Sequence, residues 1–163
     1  MAYERQEFGS VISIVDRLID EAPQVSREPV PRRFQDLHEL KQSVARDLKA
    51  LLNTRRECQE ELSEDYRETR SSVLMYGLPD LTSLSLLNGQ DRDRIRRAVA
   101  QAIDQFEPRL KLLRVAVEPS VPHESGLHFR IEAMLRVEPA PEQVTFDATL
   151  RLETKEYLVQ CQN

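Results

Sequence analysis

The stretch "QFEPRLKLLRVAV", residues 105–117, is where the sequence changes from one structural pattern to another. Up to Phe106 the apolar residues recur at helical spacing, and beyond Arg109 they alternate as in a strand. Pro108 stands at the seam. Because a proline disfavours the helical conformation of the residue before it, we expect the helix to end at Glu107. Glu107 and Arg109 then either belong to a simple helix stop or present a fixed pair of opposite charges to a partner.

Two helices are predicted on the N-terminal side of this seam. In the nearer helix, residues 91–106, acidic Asp91 and Asp93 fall in the first turn, where the helix dipole favours them. Its predicted buried face consists of Ile95, Ala98, Val99, Ala102, Ile103 and Phe106. The earlier helix runs from about residue 34 to Asn53, and its apolar stripe consists of Leu37, Leu40, Val44, Leu48 and Leu51. Its opposite, solvated face carries Lys41, Arg46, Asp47 and Lys49. Periodicity does not decide whether the polar residues 54–72 form a helix or a loop.

Beyond the seam, apolar and polar residues alternate. The side chains predicted to point inward are Leu113, Val115 and Val117, then Leu127, Phe129, Ile131, Ala133, Leu135 and Val137, and finally Val144, Phe146, Ala148, Leu150 and Leu152. A period of two indicates strands with one buried and one solvated face. We therefore predict an α+β fold in which N-terminal helices pack on one face of a small antiparallel β-meander of three or four strands.

Residues 1–33 are predicted to form an N-terminal arm, and residues 34–163 the domain that carries it. The arm contains a short amphipathic stretch, with Ser10 as its expected N-cap and Pro23 as its end. Its apolar residues are Val11, Ile12, Ile14, Val15, Leu18 and Ile19. Such a short helix is unstable alone in water, so it must pack on something. Because a proline-rich linker follows, both its own domain and a partner's groove remain open as its docking place.

Bulk composition excludes several classes of function. The net charge is −5, whereas nucleic-acid binders need clustered basic residues. The basic pairs Arg55–Arg56 and Arg96–Arg97 have acidic neighbours and are predicted to lie on solvated faces. No stretch approaches the ~20 apolar residues of a membrane span, and the N-terminus does not resemble a signal peptide. We expect a cytoplasmic protein that neither binds nucleic acid nor inserts into a membrane, and we do not expect Cys58 and Cys161 to form a disulfide.

Few residues suggest chemistry. The sequence has no phosphate-binding glycine motif. His123 and His128 flank a turn that contains Glu124, but two histidines with one carboxylate are a weak metal signal, so no metal or cofactor is expected. Glu107 could be the carboxylic acid of a glycosidase, yet the nearby guanidinium of Arg109 lowers the pKa of a carboxyl, the wrong direction for a general acid. No catalytic residue is therefore assigned.

Several motifs resemble, in order, those of the TssE family of type VI secretion baseplate proteins. They are "IVDRLIDE" at 14–21, "DLKALLNTRR" at 47–56, "SSVLMYGLPDLTSL" at 71–84, "FEPRL" at 106–110 and "PEQVTFDATL" at 141–150. The resemblance covers roughly residues 10 to 153. It implies a structural protein of the baseplate wedge, located at the cytoplasmic side of the inner membrane. The implied partners are the wedge proteins TssF, TssG and TssK and the contractile sheath proteins TssB and TssC.

The resemblance also suggests which residues bind these partners. In the family, the Glu-Pro-Arg motif, here Glu107, Pro108 and Arg109, is associated with docking on the helical bundle at the centre of the wedge. The sheet is implied to be the surface on which the sheath assembles. The last clear strand, with Thr149 on its solvated side, is expected to be the exposed edge that accepts a sheath strand. Two alternatives remain: a peptidoglycan hydrolase, suggested by the family's lysozyme-like label, and a generic adaptor that docks only through its arm.

Overall fold

The structure is a computed structural model of the chain. The residues that it describes are 10–11, 13–18, 24, 34–57, 64–81, 83–85, 88–118, 126–151 and 154–162. The elements in chain order are β1 (Ser10–Val11), α1 (Ile14–Leu18), β2 (Phe34–Gln35), α2 (Leu37–Asn53), α3 (Arg67–Arg70), α4 (Gly89–Phe106), β3 (Leu110–Glu118), β4 (Gly126–Leu135), β5 (Glu142–Arg151) and β6 (Tyr157–Cys161). Short 3-10 turns at Glu64–Tyr66 and Val73–Met75 flank α3.

Both long helices begin and end at residues that local chemistry selects. Asp36 accepts a hydrogen bond from the backbone N–H of Glu39 at 2.8 Å, and the Glu39 side chain accepts one from the N–H of Asp36. This reciprocal capping box satisfies two donors at the start of α2. Asn88 caps α4 by accepting from the N–H of Gln90 at 3.0 Å. The helix α4 ends at Phe106, as the position of the proline predicted.

The strands β3, β4, β5 and β6 form one antiparallel sheet in chain order, which is a simple meander. The helix α4 packs on β3, and α2 packs on β6, so one face of the sheet is covered. The core between these layers includes Leu40, Val44, Leu48, Ile95, Val99, Ile103, Phe129, Ile131, Leu135 and Phe146. The prediction of an α+β fold with helices on one face of a small antiparallel sheet is confirmed.

The strand β3 departs from strict alternation. Leu112 pairs with Ala133 and Arg114 pairs with Glu132, so Leu113 is an extra residue in a bulge. A bulge moves every later side chain by one position. Leu113 is therefore 52% exposed instead of buried, and its predicted inward position is wrong, while Val115 is buried as expected.

The strand β5, which carries Thr149, is not an edge. Thr149 is paired with His128 of β4 on one side and with Leu158 of β6 on the other. The expectation that this strand is exposed to a sheath strand is therefore wrong. The error arose because β6 is short and the sequence pattern did not mark it as the last strand. The outer strands of the sheet are β3 and β6.

The N-terminal arm begins differently from the prediction. Ser10 is not the helix cap, because Ser10 and Val11 form β1 and pair with Gln35 and Phe34 of β2. Ser13 takes over the capping role, since its hydroxyl accepts from the N–H of Asp16 at 3.1 Å. The apolar residues of α1 face solvent: Ile14 is 77%, Val15 58% and Leu18 79% exposed. Ile12 and Ile19 lie outside the described residues.

Candidate partner-binding site

The Glu-Pro-Arg corner is a tight turn held by backbone hydrogen bonds. The N–H of Glu107 donates to the carbonyl of Ile103 at 2.9 Å, which closes the last turn of α4. The carbonyl of Glu107 then accepts from the N–H of Leu110 at 3.1 Å. The carbonyl of Arg109 accepts from Arg136 at 2.8 Å, which ties the corner to the end of β4. Backbone hydrogen bonds alone therefore fix the direction of the chain at the seam.

Glu107 and Arg109 bind each other through two parallel hydrogen bonds. The Nε of Arg109 donates to Oε1 of Glu107 at 2.7 Å, and Nη2 donates to Oε2 at 2.6 Å. This fork geometry is the strongest arrangement of a guanidinium and a carboxylate. Glu107 is only 4% exposed, whereas the Arg109 side chain is 28% exposed. The pair therefore has one buried member and one member that reaches the surface.

The guanidinium of Arg109 also binds the helix α2. Its Nη2 donates to Oδ2 of Asp47 at 2.6 Å, and its Nη1 donates to the hydroxyl of Ser43 at 3.3 Å. Burial lowers the pKa of Arg109, but the hydrogen bonds and charges of Glu107 and Asp47 outweigh it, so the pKa lies above its usual value. Arg109 is thus a permanent cation that joins the α4–β3 corner to α2.

The same cluster reaches the N-terminal arm through α1. Asp16 accepts from Ser43 at 2.9 Å and pairs with Nη2 of Arg46 at 2.5 Å, and Arg46 in turn pairs with Asp47 at 3.2 Å. Burial raises the pKa of Asp16, yet the hydrogen bonds from Ser13, Arg46 and Ser43 outweigh it and lower that pKa to about 2. We call these connected side chains the corner network: Asp16, Ser43, Arg46, Asp47, Glu107 and Arg109.

The structure places the predicted partner-binding residues in different parts of the molecule. Glu107 and Arg109 meet in the corner network, and Pro108 is exposed beside them. Val15 and Leu18 are exposed on α1, which Asp16 ties to that network. Val11 lies in β1, and Thr149 lies inside the sheet, where its hydroxyl is 3.0 Å from Nδ1 of His128.

Sequence reasoning missed the α2 side of the network. Arg46 and Asp47 were assigned to the solvated face of α2, because a charged pair on an amphipathic helix usually lies there. One signal was available: Ser43 is a small polar residue next to Val44 in the apolar stripe, and it is 4% exposed. A buried hydroxyl needs a hydrogen-bond partner, so its position pointed to a polar contact on the buried side of α2.

The outer side of β6 is a second candidate surface. Arg151 donates to the carbonyl of Glu156, and Gln162 donates to the carbonyl of Thr145, both at 2.9 Å. Even-numbered residues of this strand therefore pair with β5, and odd-numbered residues point their backbone groups outward. At the start of β6, Asn53 covers these groups with hydrogen bonds to the N–H and carbonyl of Tyr157 at 2.8 and 2.9 Å. Within the described ranges, no strand pairs with the outer side of β6.

Glu107, the residue considered as a catalytic acid, is held within the fold. Both oxygens of Glu107 accept from the Arg109 fork, so this carboxyl holds a turn closed.

Where the structure describes side chains, no group of His, Cys, Asp and Glu residues could hold a metal ion. Cys161 is a free thiol, and Cys58, His123 and Glu124 lie outside the described residues. None of the helices in the described ranges is long and apolar enough to cross a bilayer.

Comparison with known proteins agrees with an assembly role. The model of the family described as "Baseplate wedge protein gp25" matches residues 38–140, which include the corner and most of the core. None of the curated proteins compared matches the sequence. A Geobacter sulfurreducens protein provisionally described as a tail lysozyme is similar in structure, with 20% sequence identity and a TM-score of 0.47, over 74% of this chain and 97% of that one. At that TM-score the likeness says nothing about the activity of this chain.

Proposed function

Because the chain belongs to the family of the baseplate wedge protein gp25, we propose that it is a structural component of a type VI secretion baseplate wedge, as TssE proteins are. In this role it docks on the wedge core and helps to start assembly of the contractile sheath. The family match over residues 38–140 is the observation that carries the proposal. It gives the protein a structural role in a baseplate, and the type VI system and its partners are our inference.

We propose that the surface of the corner network docks on the wedge core, formed by TssF, TssG and TssK. Pro108 is exposed, and the side chains of Arg46 and Asp47 are 42% and 37% exposed, so part of the network is accessible to a partner. The buried fork behind them holds Arg109 in one orientation. A charged group that is already oriented loses little entropy on binding, which favours a specific contact.

The exposed residues of α1 would extend this docking surface. Val15 and Leu18 stand beside the corner network, because Asp16 of the same helix binds Ser43 and Arg46. Apolar side chains on a short helix can enter a groove of a partner. We therefore propose that the arm and the corner bind the wedge together.

For the sheath proteins TssB and TssC we propose the outer side of β6 rather than β5. Val159 and Cys161 direct their backbone groups outward, beyond the residue that Asn53 covers. An extended segment of another chain can pair with such an edge through main-chain hydrogen bonds. The side chain of Thr149 is not needed for this contact.

Co-expression with TssF, TssG and TssK tests the wedge assignment. We expect the protein to elute with them in size-exclusion chromatography, and the partners' complex to retain it at moderate salt. The purified protein should release no fragments from peptidoglycan, because no described residue is placed as a catalytic acid. Elution of the protein alone, together with hydrolysis of peptidoglycan, would reject the structural role in favour of an enzyme.

A further inference from the structure

Two neighbouring apolar side chains stand out from the surface between α3 and α4. Val73 is 82% exposed and Leu74 is 53% exposed, and both belong to a 3-10 turn. Single exposed apolar residues are ordinary, but adjacent ones on the same turn form a patch that a partner can cover. We call residues Ser72–Tyr76 the apolar turn. Neither the corner network nor the outer side of β6 includes it.

Hydrogen bonds fix the shape of the apolar turn. The hydroxyl of Ser72 accepts from the N–H of Leu74 at 3.3 Å and donates to the carbonyl of Thr69 at 2.7 Å. The N–H of Tyr76 donates to the carbonyl of Val73 at 3.0 Å. These bonds hold the backbone of Val73 and Leu74 in the conformation in which both side chains are exposed.

Both ends of the apolar turn are attached to the long helices. On its C-terminal side, the N–H of Leu78 donates to the carbonyl of Thr54 at 2.8 Å, just beyond the end of α2. Gly77, which precedes Leu78, has φ +100°, and a Cβ there would collide with the carbonyl of Thr54, so this close approach requires glycine. On its N-terminal side, Gln105 of α4 donates to the backbone carbonyl of Arg70. Contacts with α2 and α4 therefore set the position of the turn.

This position is next to the corner network. Tyr76, the last residue of the apolar turn, meets the ring of Phe106 edge to face with the centroids 5.3 Å apart, and Phe106 directly precedes Glu107. Burial raises the pKa of the Tyr76 hydroxyl, and the negative charges of Asp47 and Glu107 raise it further. Both carboxylates belong to the corner network. The apolar turn and the network therefore adjoin at the C-terminal end of α4.

The two exposed side chains are too small to form an interface by themselves. Complete burial of a Val or Leu side chain removes on the order of 100 Å² of apolar surface from water. A stable protein–protein interface buries about 800 Å² on each partner. Val73 and Leu74 can therefore only be the apolar part of a larger contact, and the corner network adjoins them. Buried apolar anchors surrounded by polar groups are the usual composition of a specific interface.

We propose that Val73 and Leu74 are apolar anchors that enter a groove between helices of the wedge core when the corner network docks there. The inference rests on the proposed function and adds an apolar part to the charged contact of Arg46, Asp47 and Arg109. Because the turn is already held in one shape, its side chains lose little conformational entropy on binding. A helical bundle suits such anchors, since the side chains of packed helices form holes into which apolar knobs insert.

Binding of the full chain to a co-purified complex of TssF, TssG and TssK tests the inference. The double variant Val73→Ser with Leu74→Ser removes the apolar surface of the turn. We expect it to bind at least about tenfold more weakly than the wild type, since two apolar side chains are lost from the contact. Its melting temperature should equal that of the wild type, because both side chains are exposed in the free protein.

Leu113→Ser is the matched control for Leu74→Ser. Leu113 is 52% exposed and Leu74 is 53% exposed, but Leu113 lies four residues beyond Arg109 along β3, about 13 Å away. We expect Leu74→Ser alone to weaken binding by about threefold or more and Leu113→Ser by less than about twofold.

A conservative variant and the salt dependence separate apolar anchoring from other roles. Val73→Ile with Leu74→Met keeps the apolar surface and should bind like the wild type. The ratio of the wild-type affinity to that of the double serine variant should be the same at low and at high salt, because salt screens charged contacts and not apolar ones.

Three outcomes would overturn the inference and leave the proposed function intact. One is binding of the double serine variant with wild-type affinity. Another is equal weakening by Leu74→Ser and Leu113→Ser, which would mean nonspecific apolar attraction. The third is loss of self-association in the double serine variant without loss of wedge binding, which would make the turn a contact between copies of the chain. If the wild type itself does not bind the complex, the proposed function fails and this inference fails with it.

Discussion

At the scale of single residues, the corner contains a buried carboxylate, Glu107, whose charge is stabilised by Arg109. Glu107 is 4% exposed and its two oxygens are bound by Arg109. Removing one member of a buried ion pair is far more harmful than removing both, because the remaining charge stays desolvated. The docking role proposed for Arg109 and its role in the fold must therefore be separated by experiment.

We predict that Arg109→Ala lowers the free energy of unfolding by about 3 kcal/mol, measured by urea denaturation. The double variant Glu107→Gln with Arg109→Ala should be less destabilised than the sum of the two single changes, since it leaves no buried charge. Pro108→Ala is the control, because this neighbouring side chain is exposed. If Arg109→Ala unfolds at the wild-type urea concentration but no longer binds TssF and TssG, the residue serves docking alone.

A second prediction at this scale concerns pH and Asp16. Its pKa in the folded protein is about 2, below the ordinary value of 3.8. A lowered pKa means that its hydrogen bonds stabilise the arm fully above about pH 4 and are lost as the pH falls through about 2. The protection of the α1 amides from hydrogen exchange, relative to an unstructured chain at the same pH, should therefore fall in that acidic range. In Asp16→Asn these amides should be unprotected already at neutral pH, and protected amides in this variant would show that other contacts hold α1.

At the scale of elements, the proposed addition of a sheath strand depends on the outer side of β6. Val159→Pro removes an outward N–H without removing a hydrogen bond to β5, because proline lacks that donor. We predict that this variant enters the wedge but no longer supports sheath assembly by TssB and TssC. Val159→Ala shortens the side chain further than proline does but keeps the N–H, so its sheaths should be normal.

Circular dichroism must show that the proline variant is folded, since β6 also packs against α2. Full-length sheaths on a folded and incorporated Val159→Pro protein would exclude strand addition at this edge. Failure of both variants would instead mean that the Val159 side chain, rather than the backbone, makes the contact.

At the scale of the whole molecule, the described part of the predicted arm is joined to the rest of the chain by polar groups and a short strand pairing. The apolar residues Ile14, Val15 and Leu18 are exposed, while Asp16 and the short β1–β2 pairing make the attachment. We predict that deletion of residues 1–30 lowers the melting temperature by only a few degrees, because little apolar surface is lost from the core. The same deletion should markedly weaken binding to the wedge.

The variant Val15→Ser with Leu18→Ser isolates the apolar contribution of the arm, because it keeps Asp16 and its hydrogen bonds. It should match the deletion in wedge binding and the wild type in stability. A large loss of thermal stability in the deleted protein would show instead that the arm belongs to the folded core, and normal wedge binding would remove it from the docking surface.

The sequence by itself determined the two long helices, the strands β3 to β5 and the class of fold. The capping box at Asp36, the break at Pro108 and the alternation along β4 act over a few residues, so their effects can be read without knowing the rest of the chain. Of these signals, the break at Pro108 predicted the end of α4, and the alternation predicted the covered face of the sheet and the α+β arrangement. The capping box was not used, and the start of α2 was predicted near residue 34 instead of Leu37. The role of the Glu-Pro-Arg motif came from the resemblance to a family.

Only the tertiary structure decided what each element meets. The bulge at Leu113 follows from pairing between β3 and β4, and the interior position of Thr149 follows from the pairing of β6 with β5. The contact of Asp47 with Arg109 joins residues 62 positions apart. Such contacts depend on register and packing between distant segments, and neither is encoded in the spacing of residues along one element.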